Sequence, residues 1–295
     1  MQRTHHKFQS ATNLRNGSLE QSSIAPLGTR QIASVPMQSE VSALLREKLE
    51  LHGQLFEAAQ VQRKLSGPRE LHCGDFEFAS EVFAARYLSG DFTMLLQDDS
   101  RVTATLGDIA GKGIAAGMWF TNLAGLLQSY GGPESDPSLT AAEINRRLCS
   151  LRPGAPFVTV FLAQVDCRVG ALKYCNAGHF PPILLRADGR TELLETGGPL
   201  LGAIEDAGYK SAQVMLEPGD TVVAYSDGLL ECRDASGEEF GQERVMTVAR
   251  QSLKYSAHAV LLLLLAAVQD FANGTLLCDD VSVTVIQRCP EGFAA

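Results

Sequence analysis

The chain has 295 residues, 45% hydrophobic and 20% charged, the balance of an ordinary soluble globular protein, and room for one large domain with extensions or two small ones. A formal charge of −9 and a pI near 5.2 argue against general nucleic-acid binding, which needs a basic footprint. Seven cysteines without C-x-x-C spacing read as reduced thiols of a cytoplasmic protein and argue against zinc. The polar amino terminus carries no secretion signal, and the aliphatic run 259–268 is about half of a membrane span.

Residues 1–40 are rich in Ser, Gln, Asn and Thr and lack an apolar period, so disorder is expected there. Over 41–66 the pattern predicts an amphipathic linker helix: Val41, Leu44, Leu45, Leu49, Leu51, Leu55, Phe56 and Ala59 fall at helical spacing among Glu and Lys. Leu44, Leu51, Ala58 and Leu65 also stand seven apart, but the run is short for a coiled coil, and packing on the following domain is the plainer reading. Ser66-Gly67-Pro68 ends the helix.

The remaining domain, 67–290, alternates strands and helices. Strands are predicted over 76–80, 91–97 and 101–106, the last two joined as a hairpin by the polar turn Asp98-Asp99-Ser100. A helix over 113–130 follows, closed by Gly131-Gly132-Pro133. A second covers 140–151, with Thr140 as N-cap and Glu143 completing a capping box. The β-branched and aromatic run 157–165 reads as a strand buried on both faces, and 172–176 pairs back on it. Further strands fit 183–185, 191–194, 211–215 and 221–225. Helices over 241–252 and 256–271 precede a final strand, 281–286. Short connections favour antiparallel pairing, and strands apolar on both faces need cover on each side. Two stacked sheets flanked by helices satisfy both demands.

Four aspartates punctuate the ends of these strands: Asp91 in Ser-Gly-Asp, Asp108 in Gly-Asp, Asp227 in Ser-Asp-Gly and Asp279 in Asp-Asp-Val-Ser. Hard divalent cations want several carboxylate oxygens converging on one point, and the ends of different strands can supply them. Each has a plainer reading alone. Asp227-Gly228 fits a hairpin turn, Asp279-Asp280 a solvated strand edge, and Asp91 an ordinary strand start. The glycines around Asp108 invite a phosphate-loop reading, which fails on spacing: Gly107 and Gly111 enclose three residues rather than four, and Gly113 follows Lys112. What survives is a tight strand-to-helix turn presenting a carboxylate.

Taken in order, Ser89-Gly90-Asp91-Phe92, Gly107-Asp108-Ile109-Ala110-Gly111-Lys112-Gly113, Phe157-Val158-Thr159, Asn176-Ala177-Gly178-His179, Glu217-Pro218-Gly219-Asp220, Ser226-Asp227-Gly228-Leu229-Leu230-Glu231 and Asp279-Asp280-Val281-Ser282 resemble the SpoIIE/RsbU branch of the PPM metal-dependent serine/threonine phosphatases, over about 67–288. The resemblance implies an α+β, four-layer α-β-β-α sandwich with two mainly antiparallel sheets, and two Mn²⁺ or Mg²⁺ ions at one end of them. It implies that Asp108 bridges both ions and that the Ile109 carbonyl binds one. Asp227 and Asp279 would hold one ion of the pair, and Asp91 would act close by. Catalysis by Asp108, Asp227 and Asp279 would then run through a water activated on the ions. Asp280 would support the ligands from behind or hold a weak third ion, and Lys112 could meet substrate phosphate. His179 reads as a proton donor or, more plainly, as an organiser of its own loop.

Two positions depart from the pattern: Met94 replaces the second acid of the RsbU-type motif, and Ala110 stands where the eukaryotic branch has a histidine. By the same resemblance the substrate is a regulatory phosphoprotein, with a STAS-type anti-sigma-factor antagonist as the analogue, and 41–65 is a contact for a regulator or a second copy. The rival is a phosphatase-like scaffold that binds a phosphoprotein without hydrolysing it. A metal-dependent nucleotide phosphodiesterase is a third reading, disfavoured because no histidines accompany the four acids.

Overall fold

A computed structural model describes residues 35–132, 135–274 and 279–290. The chain parts into one unit ending at Lys48 and a second, Leu49–Ala295. Helix α1 (Val35–Leu65) begins earlier than the composition suggested, inside the stretch expected to be disordered; residues 1–34 lie outside the described ones. There follow β1 (Glu70–Cys73), β2 (Phe76–Phe83), β3 (Asp91–Asp98), β4 (Arg101–Ile109), α2 (Ile114–Tyr130), α3 (Pro137–Ser150), β5 (Val158–Asp166), β6 (Ala171–Ala177), β7 (Ile183–Leu185), β8 (Thr191–Leu193), β9 (Gly197–Gly198), β10 (Ala212–Met215), β11 (Thr221–Tyr225), α4 (Asp227–Leu230), α5 (Gly241–Ser252), α6 (Ala257–Ala272) and β12 (Val281–Arg288). No helix among the described residues is long and apolar enough to cross a membrane.

One sheet runs β1-β2-β12-β11-β7-β8 and the other β10-β6-β5-β4-β3. Pairing is antiparallel except for short β9, which lies parallel to β6. The expected hairpin joins β3 to β4 through Asp99-Ser100, with Asp99 in the left-handed region at φ 51°. Three apolar layers hold the stack together. Phe76 and Phe78 meet Leu95, Leu106 and Phe161 between the sheets. Val223 and Val283 pack under Val245, Leu261 and Leu264 of α5 and α6. Phe92, Ile109 and Val160 pack under Phe120, Leu127 and Ile144 of α2 and α3. The result is the expected α-β-β-α sandwich; removing any one of these buried aromatic rings costs about 3–5 kcal/mol.

Two local expectations are corrected. Helix α3 starts three residues before Thr140: Asp136 is its N-cap, accepting the Ser138 N–H at 2.9 Å, and Pro137 occupies the first turn. An Asp-Pro pair suits a helix start better than a mid-helix threonine does, because Asp supplies the acceptor and Pro lacks the N–H that would go unpaired. Thr140 instead donates to the Tyr130 carbonyl at 2.9 Å, and Glu143 pairs with Arg146 and Arg147. The second correction concerns α1. From Leu49 onward, Leu49, Leu51, Phe56 and Val61 are exposed while Leu65 reaches the core beneath α2. The side of the helix that meets the loop between β2 and β3 is polar, carrying His52 and Gln62, and Leu49 and Leu51 stay in solvent.

Candidate active site

Strand register brings the acidic residues to one end of the sandwich. Asp91 opens β3 and Asp108 lies one residue from the end of β4, and the two are direct partners in the antiparallel ladder. In the other sheet Tyr225 pairs with Val283, so the residues after β11 and before β12, Ser226-Asp227 and Asp279-Asp280, also share an end. The Ser226 N–H donates to the Ser282 carbonyl at 3.1 Å, and the Ser226 Oγ accepts the Ser282 N–H at 3.0 Å. Asp227 makes no hairpin; it opens the short helix α4, and its Oδ1 accepts the Gly228 N–H at 2.8 Å.

The electrostatics place these groups together. Burial pushes the Asp108 carboxyl up to about 6, and the neighbouring charges of Asp227, Asp279 and Asp280 push the same way. Asp227 is raised by burial and then by Asp279, against a hydrogen bond from its neighbour Gly228. Asp91 is held well above the usual carboxylate range by burial, and the nearby charges of Asp108 and Asp280 push the same way. Asp91 is 3% exposed, and its Oδ2 has no hydrogen-bond partner.

Asp279 is half in solvent, and its Oδ2 accepts from the Lys112 ammonium at 2.8 Å. Arg86, in the β2–β3 loop, lies close enough for its charge to be felt at Lys112. Nothing in the motif pattern singled out Arg86; its only signal was a cation a few residues before Ser89-Gly90-Asp91. Asp280 is buried, and both its oxygens are taken by backbone: Oδ1 accepts the Ala85 N–H at 2.7 Å and Oδ2 the Gly90 N–H at 2.8 Å. Gly90 must be glycine here. A methyl group on it would meet the Ile109 carbonyl at 2.9 Å, Asp108 Oδ1 at 3.0 Å and the Gly111 carbonyl at 3.1 Å.

The donor set suits a hard divalent cation: all oxygen, anionic, crowded enough to raise its own proton affinity, and carrying one orphaned buried oxygen on Asp91. Among the described residues no three His, Cys, Asp or Glu side chains already close on one point, and the Lys112 ammonium lies against Asp279. Met94 is fully buried with Phe92 under α2 and α3, on the face of β3 opposite Asp91. Ala110 is exposed, and its N–H donates to the Phe157 carbonyl at 2.9 Å. His179 stands apart from the acids as an organiser: its N–H donates to Asn176 Oδ1 at 2.8 Å, and its Nδ1 lies 2.9 Å from Thr159 Oγ1. Burial lowers it to about 4, so the ring is neutral at pH 7.

Comparison with known proteins agrees with this arrangement. The family model for stage II sporulation protein E (SpoIIE) matches residues 98–289, well over half of the chain and a span holding Asp108, Asp227, Asp279 and Asp280. The chain belongs to the SpoIIE family. It therefore carries a serine/threonine phosphatase domain of the PPM group, whose members are metal-dependent. Among its relatives, phosphoserine phosphatase RsbU of Bacillus subtilis is 27% identical over 247 residues, covering 81% of this chain and 71% of RsbU. Protein IcfG of Synechocystis is 26% identical over 235 residues, 69% of this chain, and the match spans only 36% of IcfG. The SiaA-PP2C domain of Pseudomonas aeruginosa superposes with a TM-score of 0.70 at 17% identity, covering 82% of this chain and 98% of that one, which shows a shared fold.

Proposed function

We propose that the protein hydrolyses phosphoserine or phosphothreonine on a regulatory partner protein. The observation that supports it is that strand ends of both sheets place Asp108, Asp227 and Asp279 at one end of the sandwich, near enough that Asp227 and Asp279 raise the proton affinity of Asp108. In this reading Asp91, Asp108, Asp227, Asp279 and the Ile109 carbonyl hold two Mn²⁺ or Mg²⁺ ions. When bound, such ions supply an activated water and neutralise the phosphoryl oxygens. Asp280 holds the Ala85–Gly90 backbone in place behind them. Lys112 and Arg86 form a cationic rim that draws the phosphate dianion in and orients it. No side chain need form a covalent intermediate.

RsbU is named a phosphoserine phosphatase, which supports serine as the residue relieved of phosphate; a STAS-type antagonist as the partner's class rests on the family resemblance alone. The helix over 41–65 is the segment we assign to a regulator or a second copy. Turnover of an aryl phosphate and of a phosphorylated partner with Mn²⁺, lost in Asp108→Asn and Asp227→Asn, is the expected result. The rival scaffold reading takes its support from the Lys112–Asp279 ion pair, in which the ammonium already neutralises one of the proposed ligands. Wild-type protein that binds a phosphoprotein but stays inert at millimolar Mn²⁺ would decide for that rival.

A further inference from the structure

The loop between β2 and β3 is gripped on two sides. On its inner side Asp280 accepts the N–H groups of Ala85 and Gly90, and the Gly90 carbonyl accepts the Ile109 N–H at 3.1 Å. On its outer side stands the last part of α1. There the Gln62 side-chain amide makes a paired contact with one residue: its Nε2 donates to the Ser89 carbonyl at 2.8 Å and its Oε1 accepts the Ser89 N–H at 3.2 Å. Two turns and more earlier on the same helix, the His52 ring lies 5.3 Å from that of Tyr87. Leu88, between these contacts, seats against Gly117 of α2.

Close packing is not what holds the helix here. A cavity of about 310 Å³ lies between α1 and the strands, bounded by Gln62 and Arg63 on the helix and by Glu81, Ser89 and Asp91 on the other side. A side chain that reaches across such a gap and satisfies both backbone groups of one residue fixes that residue's place directly. Ser89 is 4% exposed, and its own hydroxyl has no partner, so its position depends on its main chain. The two residues after it are Gly90, which touches Asp108 and Ile109, and Asp91.

We infer that Gln62 is a positioning residue: its amide locks Ser89 and thereby sets the relation of Asp91 to Asp108, coupling the end of helix α1 to the carboxylate site. The inference rests on the reading of Asp91 and Asp108 as cation-holding groups. Gln62 itself contributes no ligand to the acidic site.

The test uses the full chain with Gln62→Met, which keeps the length and removes both hydrogen bonds, and Gln54→Met as an exposed control on the same helix. Mn²⁺ binding is followed by calorimetry and hydrogen exchange by mass spectrometry on peptides covering 84–92, alongside thermal melting. Gln62→Met is expected to weaken Mn²⁺ binding about tenfold, the scale found for groups that orient metal ligands, and to speed exchange at Ser89 and Gly90. Its melting temperature should stay within a few degrees of wild type, and Gln54→Met should change none of the three. Normal Mn²⁺ affinity and normal exchange in Gln62→Met would overturn the inference, as would a loss of affinity matched by general unfolding. If Asp108→Asn binds Mn²⁺ like wild type, the reading of the acids fails, and the exchange result still decides whether Gln62 holds Ser89.

Discussion

Asp91 and Asp108 face each other as partners in the β3–β4 ladder, both with carboxyls that burial pushes upward. Two like charges set opposite each other on a sheet weaken it. A fold that keeps them carries a cost that another feature must offset, as functional sites commonly do.

That cost can be measured. The carboxyl of Asp108 is raised in the folded state, so its contribution to stability is complete below the ordinary carboxylate value and is lost as pH rises through about 6. In the presence of a chelator, Asp108→Asn should therefore be more stable than wild type at pH 8, by about 1–3 kcal/mol. The gap should close near pH 4. Urea denaturation across this range gives the answer, and wild type equal to or above the variant at pH 8 refutes it.

His179 works in the opposite sense. Burial lowers it to about 4 in the fold, so the neutral ring stabilises the protein above its ordinary value of about 6.5, and this is lost as pH falls toward 4. We expect His179→Asn to flatten the acid side of the stability profile by as much as about 3 kcal/mol, while retaining most phosphatase activity at pH 7.5. A steep fall in kcat with an unchanged stability profile would instead make this ring part of the chemistry.

On the proposed reading, Lys112 and a divalent cation would compete for Asp279. The pair is exposed and lends the fold little, at most about 1 kcal/mol. Lys112→Met should accordingly melt with wild type and bind Mn²⁺ a few-fold more tightly by calorimetry. Its KM for a phosphorylated substrate should rise, because the same ammonium is lost from the phosphate's side. Weaker cation binding in this variant would place the lysine in the ligand set's support rather than in competition with it.

Gly107 is fixed by contact on both sides. A methyl group there would sit 2.4 Å from the Thr159 carbonyl and 2.7 Å from the Phe92 ring, neither of which can yield in the centre of a sheet. Gly107→Ala should cost about 2–4 kcal/mol and disturb Asp108 next to it. Gly125→Ala, in α2 with nothing within 4 Å, should gain about 0.5–1 kcal/mol. Comparing the two by urea midpoint separates steric exclusion from glycine's general flexibility.

Asp91, Asp108 and Asp227 stood out in the chain because each sits beside a glycine at a strand end, where a carboxylate has few roles other than a turn or a site. The layered architecture followed from runs such as 157–165, apolar on both faces, and from alternation in 101–106. What escaped was short or depended on backbone groups far away. Strand β1 has only four residues and β9 is Gly197-Gly198, too little pattern to notice. The start of α3 was misplaced because Thr140 and Glu143 matched a capping pattern, whereas Asp136-Pro137 met the physical need earlier. Both oxygens of Asp280 and the amide of Gln62 find main-chain partners in one loop. Main-chain partners leave no mark on residue type, so neither role could be read from composition or spacing. Met94 looked like a lost acid beside Asp91, but alternation along β3 turns it to the other face.

Strand β12 is the last to be synthesised of all those described, yet it lies third in its sheet, hydrogen-bonded to β2 on one flank and β11 on the other. Until it arrives, β2 and β11 have no common neighbour, and Asp279 and Asp280 have no anchorage at the rim. A nascent chain on the ribosome therefore carries every earlier acid but no competent centre. On the proposed reading of the acids, products of early termination that lack β12 should therefore be inert rather than unregulated.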